Sequence, residues 1–450
     1  MRAWLRKFGS DVYLVDIQKG KEGEGRIVSV SENVKDGQRI LFVPVSVMMT
    51  SASAQSSSIG KRITDSGCTV KSSHTWLAAH LMEEKRKQKQ SRFFQYTCSL
   101  PLRFDNMPIN FTTEQKRLLK GSSSLEQVKA MSNELRQEYS TLVEHVKGFD
   151  YSFEVFVWAR LCVLTRAFAI EKNGRPMDAL VPVADMLNHS NNPTVSWYYD
   201  NSQKGFVITA EKDMNKGTEV FDSYGIKSQR RFFVNYGFTI DRNIFKHNQA
   251  VITVTLSSLD PAYKHKLPRI GTGAGGRDAS ARFTVSPGYR SRGVGRMLSY
   301  CRFVTAKQEE LNKAPDKFAR PQEVGIISIP SEIRALKRLE QSTLQALSMF
   351  PDPLHSDHKA LKTNVFRNAN DRNCMVMRAS EKEVLHWFVG FCRAMCDLYR
   401  RLSSETTAES RIATFNKMHK ITWRKVLGHK WMQSYKDYID DAVEELIFES

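Results

Sequence analysis

The chain has 450 residues, of which 41% are hydrophobic and 26% charged, and it carries a formal net charge of +19. These proportions exclude a mainly disordered chain, and the length is sufficient for two or three domains with buried cores. The positive charge is spread over several segments and comes without a finger, RRM or KH motif. We therefore do not predict nucleic acid as a partner, since solvated basic faces explain the charge more simply.

The seven cysteines are scattered along the chain and show no CxxC spacing. Such thiols are typical of reduced, packed side chains in an intracellular protein rather than of disulfides or zinc sites. The most apolar segment, residues 384–396, contains His386 and Arg393 and has helical periodicity. We therefore expect a soluble intracellular protein, cytoplasmic or nuclear and not secreted, with no membrane span and no metal.

The first 50 residues predict a short helix followed by a small antiparallel unit. Residues 4–9 favour a helix and residues 12–17 favour a strand. Residues 27–30 and 40–43 alternate as two further strands, separated by an Asp-Gly turn. The GEG sequence before residue 26 does not lead into a helix, so the fingerprint of dinucleotide-binding proteins is absent.

A long helical stretch is predicted next. Residues 50–73 are rich in serine, threonine and small residues and predict a surface excursion, whereas a helical pattern begins at His74. PLRFDNMPINFT then predicts a proline-containing loop, and helical patterns follow at about 113–119 and 125–146. A strong helix then begins near Ser152 and carries Arg160 and Arg166 on an otherwise apolar surface. Arginines in such a position usually pair with a carboxylate, either of the protein or of a ligand.

A polar cluster stands inside the apolar segment ALVPVADMLNHS. Its members are Asp185, Asn188 and His189, and the chain then runs to two tyrosines that each precede a glycine, Tyr224 and Tyr236. Buried Asn and His side chains must find hydrogen-bond partners. From these residues alone, the cluster is either a network that locks the core or a ligand site.

The last part of the chain is predicted to be mostly helical. ITVTL and ARFTVSP read as strands, and residues 271–276 form a glycine-rich loop that lacks the context of a phosphate-binding loop. After residue 294, two long helices are predicted to open at Ser331 and Ser380, each of which stands directly before a glutamate.

Four blocks in this order resemble the SET-domain protein methyltransferases of the Rubisco large-subunit methyltransferase-like class. They are EGEGRIVSV with ILFVPVSVMMT, FVWARLCVLTRAF, VPVADMLNHS, and SYGIKSQRRFFVNYGF. The resemblance covers essentially the whole chain and implies an α+β fold. It implies a knotted, mainly β SET core over residues 1–240, with a helical insert at about 50–150, followed by a mostly α-helical substrate-binding domain over residues 241–450.

The resemblance also implies S-adenosylmethionine as cofactor and a protein substrate as partner, for a chain that we expect to be a monomer. Tyr224 matches the catalytic tyrosine of the family, and Arg166 matches the arginine that meets the methionine carboxylate. The residues that match the family's cofactor site are Glu22, Gly23, Glu24, Arg166, Asp185, Asn188, His189, Tyr236 and Phe238. Methyl transfer by in-line displacement depends on positioning and needs no metal.

The acceptor is predicted to be a lysine. Phe168, two residues after Arg166, resembles the lysine-directed members, whereas the branch that methylates an actin histidine carries Asn there. Two positions depart from the family pattern, since Glu24 is often aromatic or apolar and Gln229 is commonly Asn in relatives. We therefore predict a protein-lysine N-methyltransferase. The alternatives are a protein-histidine N-methyltransferase and a catalytically silent SET-fold binding protein with a basic surface.

Overall fold

The computed structural model describes residues 1–20, 25–241, 243–270, 279–288, 292–405, 407, 409–410 and 413–414. Their contacts divide them into two units, of which the first comprises residues 1–111, 127–227 and 233–238. The second comprises residues 112–126 and 228–232 and the described residues from 239 onward. Among the described residues, no helix combines the length and the apolar character needed to cross a membrane.

The strands up to residue 238 are β1 (Val15–Lys19), β2 (Arg26–Val30), β3 (Arg39–Pro44), β4 (Met49–Thr50), β5 (Phe168–Lys172), β6 (Arg175–Leu180), β7 (Asn188–His189), β8 (Val195–Asp200), β9 (Gly205–Ala210) and β10 (Phe221–Asp222). β1 pairs antiparallel with β2, β9 lies between β3 and β8, and β6 lies between β4 and β5. β10 pairs in parallel with β7, which sets Asp222 beside His189. This short pair brings the polar cluster next to the segment that leads into Tyr224.

The helices up to residue 238 are α1 (Arg2–Lys7), α2 (Ser51–Ser56), α3 (Ser58–Asp65), α4 (Ser73–Lys87), α5 (Phe94–Thr97), α6 (Thr113–Leu118), α7 (Ser123–His145), α8 (Phe153–Arg166) and α9 (Gln229–Tyr236). Helix α8 packs against α4, and the two share an apolar core that includes Leu77, Leu81 and Phe156. That core fixes the end of α8, where Arg166 lies.

The prediction of a surface excursion at residues 50–73 is wrong. The segment forms α2 and α3, and the side chains of Ile59 and Ile63 are fully buried. Thr50 and Ser57 each accept a hydrogen bond from a backbone N–H group in the following turn. The hydroxyl residues that suggested a loop therefore serve as helix N-caps, for which serine and threonine are well suited.

The remaining elements are β11 (Ala250–Thr255), α10 (Tyr263–Ile270), β12 (Ser280–Val285), α11 (Arg292–Thr305), α12 (Gln308–Lys313), α13 (Ile329–Ser348), α14 (Leu354–Thr363) and α15 (Ala369–Ser404). β11 and β12 pair antiparallel, and α11, α13 and α15 share one apolar core with them. The predicted α+β class with a helical C-terminal part is confirmed. The glycine-rich loop at 271–276 lies outside the described residues.

The predicted start of the last long helix at Ser380 is wrong. α15 begins at Ala369, where the side chain of Asn368 accepts a hydrogen bond from the backbone N–H of Asp371 at 3.0 Å. The hydroxyl of Ser380 instead donates to the carbonyl oxygen of Val376, at 2.7 Å, inside the helix. A serine followed by a glutamate marks a helix start only where the preceding backbone is extended, which the sequence does not reveal.

Candidate active site

Both arginines of α8 lie beside a carboxylate, as predicted. Arg160 Nε donates to Glu138 Oε2 at 3.0 Å. Arg166 Nη1 donates to the backbone carbonyl oxygen of Asp185 at 2.6 Å and lies 3.8 Å from Asp185 Oδ2. The side chain of Asp185 is 0% exposed, whereas that of Arg166 retains 16% exposure. Arg166 therefore joins the end of α8 to the turn that carries the polar cluster.

The turn at Asp185 begins with an unusual backbone conformation. Val183, which is 1% exposed, has φ +73° and ψ −48°, and residues Ala184–Met186 form a short 3₁₀ helix directly after it. A positive φ is rare for a β-branched residue and costs on the order of 1–3 kcal/mol. The packing of the first unit maintains this strained turn, and the turn presents the carbonyl oxygen of Asp185 to Arg166.

Tyr96 of α5 is a third member of this cluster that the sequence did not single out. Its hydroxyl donates to Asp185 Oδ2 at 2.6 Å, and its side chain is fully buried. Burial raises the pKa of Asp185, while the charge of Arg166 and the hydrogen bond from Tyr96 oppose that rise. Nothing in the surrounding sequence FFQYT distinguishes this tyrosine from any other buried aromatic residue.

Two polar atoms of the cluster are left over. Within the part of the chain that the structure describes, Arg166 Nε and Asp185 Oδ1 are buried without a hydrogen-bond partner. A second guanidinium, that of Arg26 at the start of β2, is close enough that burial and the charge of Arg166 lower its pKa. Two arginines facing one carboxylate leave an excess positive charge and an open N–H donor, which together suit a ligand carboxylate.

Asn188 joins the polar cluster to neighbouring segments. Its Nδ2 donates to the carbonyl oxygen of Arg26 at 3.2 Å and to Glu219 Oε1 at 2.9 Å. The Asn188 amide therefore holds the start of β2 against β7. The sequence-predicted residues Glu22, Gly23 and Glu24 precede β2 in the chain. Those three residues lie outside the described residues.

His189 lies directly against Tyr224. The backbone N–H of Tyr224 donates to His189 Nδ1 at 3.0 Å, and the two ring centroids are 5.1 Å apart. His189 Nε2 is 3.3 Å from Asn191 Oδ1. Since Nδ1 accepts a hydrogen bond, the imidazole is neutral with its proton on Nε2. Burial lowers the pKa of His189, which favours the same neutral form.

The hydroxyl of Tyr224 is held by the same segment. It donates to the carbonyl oxygen of Leu187 at 2.7 Å. Burial raises the pKa of Tyr224. The phenol is therefore protonated at neutral pH, and its oxygen keeps lone pairs with which it can accept a further hydrogen bond.

Tyr236 and Phe238 complete an aromatic wall beside Tyr224. The ring of Tyr236 is 5.1 Å from that of Tyr224, and the ring of Phe238 is 6.2 Å from both. Gly237 between them has φ +76°, and a Cβ there would lie 2.5 Å from Asn106 Nδ2 and 2.9 Å from the Asn106 backbone oxygen. Glycine is therefore required in NYGF for both reasons.

Asp222 adds a titratable group just before Tyr224. One carboxylate oxygen accepts a hydrogen bond from the backbone N–H of Ser223 at 2.6 Å, and burial raises the pKa of Asp222 to about 6. Asp222 was not among the residues selected from the sequence.

The structure thus brings seven predicted residues into one connected cluster. They are Arg166, Asp185, Asn188, His189, Tyr224, Tyr236 and Phe238. Sequence reasoning missed Tyr96, Arg26 and Asp222. Arg26 follows directly after the GEG sequence, so its position in the chain could have indicated that it belongs to the site. Tyr96 belongs to a helix that is distant in the chain, and only the fold places it beside Asp185.

Two family models match this chain. The SET domain matches residues 25–225, and the family described as Rubisco LSMT substrate-binding matches residues 259–385. Together they confirm the resemblance that the four sequence blocks indicate. The described members of the candidate active site up to Tyr224 fall within the first of these matches.

Curated relatives are similar over most of the chain. The actin-histidine N-methyltransferase of Homo sapiens is 24% identical over 424 residues, which is 89% of this chain and 69% of that protein. The protein of the same name from Mus musculus is 24% identical over 422 residues, with the same shares of the two chains.

Solved structures share the fold. Rubisco LSMT bound to sinefungin and monomethyllysine superimposes with a TM-score of 0.72 at 19% identity, over 98% of this chain and 97% of that one. The SET domain of LSMT bound to lysine and AdoHcy gives a TM-score of 0.70 at 18% identity, over the same shares.

Proposed function

We propose that this chain, a SET-domain protein with a Rubisco LSMT substrate-binding domain, is an S-adenosylmethionine-dependent protein-lysine N-methyltransferase. One observation carries the proposal. Two carbonyl oxygens of one short segment bind the two functional side chains. The carbonyl oxygen of Asp185 accepts a hydrogen bond from Arg166, and that of Leu187, two residues later, accepts one from the hydroxyl of Tyr224. A cluster suited to a ligand carboxylate and a hydroxyl suited to an acceptor amine are therefore parts of one rigid turn.

The residues present fit the cofactor. Arg166 has a buried Nε–H without a partner in the described chain, and Arg26 adds a second positive charge against the single negative charge of Asp185. This arrangement favours the amino-acid carboxylate of S-adenosylmethionine. Asn188, His189, Tyr236 and Phe238 would line the rest of the site, together with Glu22, Gly23 and Glu24. When bound, S-adenosylmethionine supplies a methyl carbon made electrophilic by the adjacent sulfonium charge.

Tyr224 positions the acceptor rather than removing its proton. Its own proton is engaged with Leu187, and its raised pKa makes a phenolate base unavailable at neutral pH. The phenol oxygen can accept a hydrogen bond from an amine N–H and thereby turn the nitrogen lone pair toward the methyl group. Such orientation of reacting groups is the main source of rate enhancement in a displacement without covalent catalysis.

A lysine acceptor must lose its proton before it attacks, since its ordinary pKa is about 10.4. The aromatic surroundings of Tyr224 disfavour the ammonium form by desolvation, and the sulfonium charge of a bound cofactor would add like-charge repulsion. Phe168 supports lysine as the acceptor through its resemblance to the lysine-directed members, and its ring packs 4.8 Å from that of Phe206 and 5.3 Å from that of Trp197.

Histidine is the second candidate acceptor. The observation in its favour is the similarity to relatives named actin-histidine N-methyltransferase over 89% of this chain. An imidazole is already neutral at physiological pH, so the phenol oxygen of Tyr224 would only need to orient it.

We further propose that residues 1–240, with the helical insert at about 50–150, carry out the catalysis. Residues 241–450 would then bind the protein substrate. The match of residues 259–385 to a substrate-binding family supports this division.

The test is transfer of a labelled methyl group. The purified chain is incubated with S-adenosylmethionine carrying a deuterated methyl group and a cell lysate, or purified actin, and the labelled residue is identified by mass spectrometry. The Tyr224→Phe variant is the matched control for contaminating activity.

Labelled lysine that depends on Tyr224 supports the proposal, and labelled histidine in actin selects the second candidate. Absence of both transfer and calorimetric binding of S-adenosylmethionine would leave a catalytically silent binding protein, and the enzyme proposal would be wrong.

A further inference from the structure

Tyr96 stands out because it reaches the candidate active site from a different part of the fold. It belongs to the short helix α5 in the stretch predicted as an insert, yet its hydroxyl donates to Asp185 Oδ2 at 2.6 Å. Both side chains are buried, so this hydrogen bond does not exchange freely with water. Burial raises the pKa of Tyr96 well above its usual range, so the hydroxyl keeps the proton that it donates to Asp185.

The side chains of Asp185 and Arg166 lie close together without a direct hydrogen bond between Oδ2 and Nη1. Asp185 Oδ2 lies 3.8 Å from Arg166 Nη1, beyond a normal hydrogen bond, while the backbone oxygen of Asp185 takes that donor at 2.6 Å. In a buried site, a carboxylate and a guanidinium would otherwise form a direct bidentate pair. The hydroxyl of Tyr96 occupies Oδ2 instead, at 2.6 Å, while Oδ1 has no partner within the described residues.

We propose that Tyr96 is a positioning residue that keeps Asp185 from pairing directly with Arg166, so that the Nε–H of Arg166 stays available to a ligand carboxylate. The inference rests on the proposed function, because it assumes that the ligand carries a carboxylate. It explains why Arg166 Nε and Asp185 Oδ1 both lack a partner within the described residues although they belong to neighbouring groups.

The consequence of losing the hydroxyl follows from this geometry. In Tyr96→Phe the ring still fills its buried space, but Asp185 Oδ2 loses its closest donor. The carboxylate then turns toward Arg166, whose Nη1 lies 3.8 Å from Oδ2, and occupies the N–H groups that a ligand would use. Affinity falls for ligands with a carboxylate and is retained for ligands without one.

The experiment compares two nucleosides by isothermal titration calorimetry. S-adenosylhomocysteine carries the amino-acid carboxylate, and 5′-methylthioadenosine has the same thioether and adenosine without it. For Tyr96→Phe we expect the Kd of S-adenosylhomocysteine to rise about tenfold, in line with a hydrogen bond to a charged group, and the Kd of 5′-methylthioadenosine to stay the same.

Tyr139→Phe is the matched control. The hydroxyl of Tyr139 donates to the backbone oxygen of Tyr151 at 2.8 Å, so this variant also removes one partly buried tyrosine hydroxyl from the same unit. It should lower thermal stability without changing the ratio of the two dissociation constants. A general loss of packing would affect both nucleosides in both variants.

A double-mutant cycle with Asp185→Asn gives a second measurement. An uncharged amide cannot form the ion pair with Arg166, so adding Tyr96→Phe to Asp185→Asn should change the Kd of S-adenosylhomocysteine by much less than tenfold. An unchanged ratio of the two nucleosides in Tyr96→Phe, with normal binding by the unmodified protein, would overturn the role of Tyr96 alone. Failure of the unmodified protein to bind either nucleoside would instead overturn the proposed function.

Discussion

The backbone N–H of Tyr224 donates to Nδ1 of His189 at 3.0 Å. This hydrogen bond requires a neutral imidazole, because a protonated one carries hydrogen on both ring nitrogens and would direct an N–H at the N–H of Tyr224. The position of Tyr224 therefore depends on the protonation state of His189. Asn191, the backbone of Asp222 and the charge of Lys227 also act on the imidazole.

Turnover should fall at acid pH for this reason. Burial lowers the pKa of His189 from 6.5, so the folded protein binds this proton less readily than the unfolded chain does. Both the stability of the native state and the alignment of Tyr224 should therefore decline as the pH falls below 6.5. His189→Asn keeps an acceptor near the position of Nδ1 without titrating. The need to deprotonate a lysine acceptor makes kcat fall at acid pH in both proteins, and protonation of His189 adds a further loss below pH 6.5 in the unmodified protein alone. The ratio of the two kcat values should therefore change as the pH falls below 6.5, and a ratio independent of pH would contradict this assignment.

Asp222→Asn should stabilise the protein at neutral pH. The pKa of Asp222 is raised from 3.8 to about 6, so its ionised form is disfavoured in the folded state. Asparagine keeps the acceptor for Ser223 N–H without the buried charge, and we expect a gain of about 1–3 kcal/mol at pH 7.5. The gain should shrink between pH 6 and 4, as native Asp222 takes up its proton. Thermal unfolding of both proteins across this range is the measurement, and a gain independent of pH would rule out the buried charge of Asp222 as its cause.

Tyr224→Phe should lower kcat about 100-fold while the Kd of S-adenosylmethionine changes little, because the lost hydroxyl orients the acceptor and not the cofactor. Single-turnover kinetics and calorimetry separate the two quantities. Tyr199→Phe is the control, since the hydroxyl of Tyr199 is buried without a hydrogen-bond partner in the described chain. Equal losses of turnover and cofactor affinity in Tyr224→Phe would assign Tyr224 to the cofactor site instead.

Arg166→Lys should weaken cofactor binding by about tenfold or more, although the positive charge is kept beside Asp185. A lysine ammonium cannot reproduce the planar pair of donors that a carboxylate prefers. Arg160→Lys lies on the same helix and alters the pair with Glu138, so it reports the effect of the substitution on stability alone. If both variants bind S-adenosylhomocysteine as the unmodified protein does, Arg166 belongs to a structural ion pair.

Phe168→Asn should shift acceptor preference from lysine toward histidine. The substitution removes a ring that packs against Phe206 and Trp197 and adds an amide that can bond to an imidazole nitrogen. Initial rates on a lysine peptide and on actin are measured with the same enzyme preparation, so a loss of stability cancels in their ratio. A ratio unchanged by the substitution would show that residue 168 does not select the acceptor.

The family, the α+β class and most of the candidate site were accessible from the sequence because they depend on short, contiguous blocks. Asp185, Asn188 and His189 lie within five residues of one another, and the YG and NYGF blocks are equally local. Buried polar side chains in apolar segments require hydrogen-bond partners, so the sequence alone predicts that such partners exist. The sequence does not show which residues these partners are.

Only the tertiary structure decided those partners. Tyr96 is 89 residues from Asp185 in the chain, and Asn188 is 162 residues from Arg26. Residues 50–73 were misread for a related reason, because their hydroxyl side chains suit a loop and a helix N-cap equally, and burial of Ile59 and Ile63 selects the helices. Local sequence patterns predict that a segment contains buried polar groups that require hydrogen-bond partners. Contacts between distant segments determine which residues become those partners, and therefore which polar atoms remain available to a ligand.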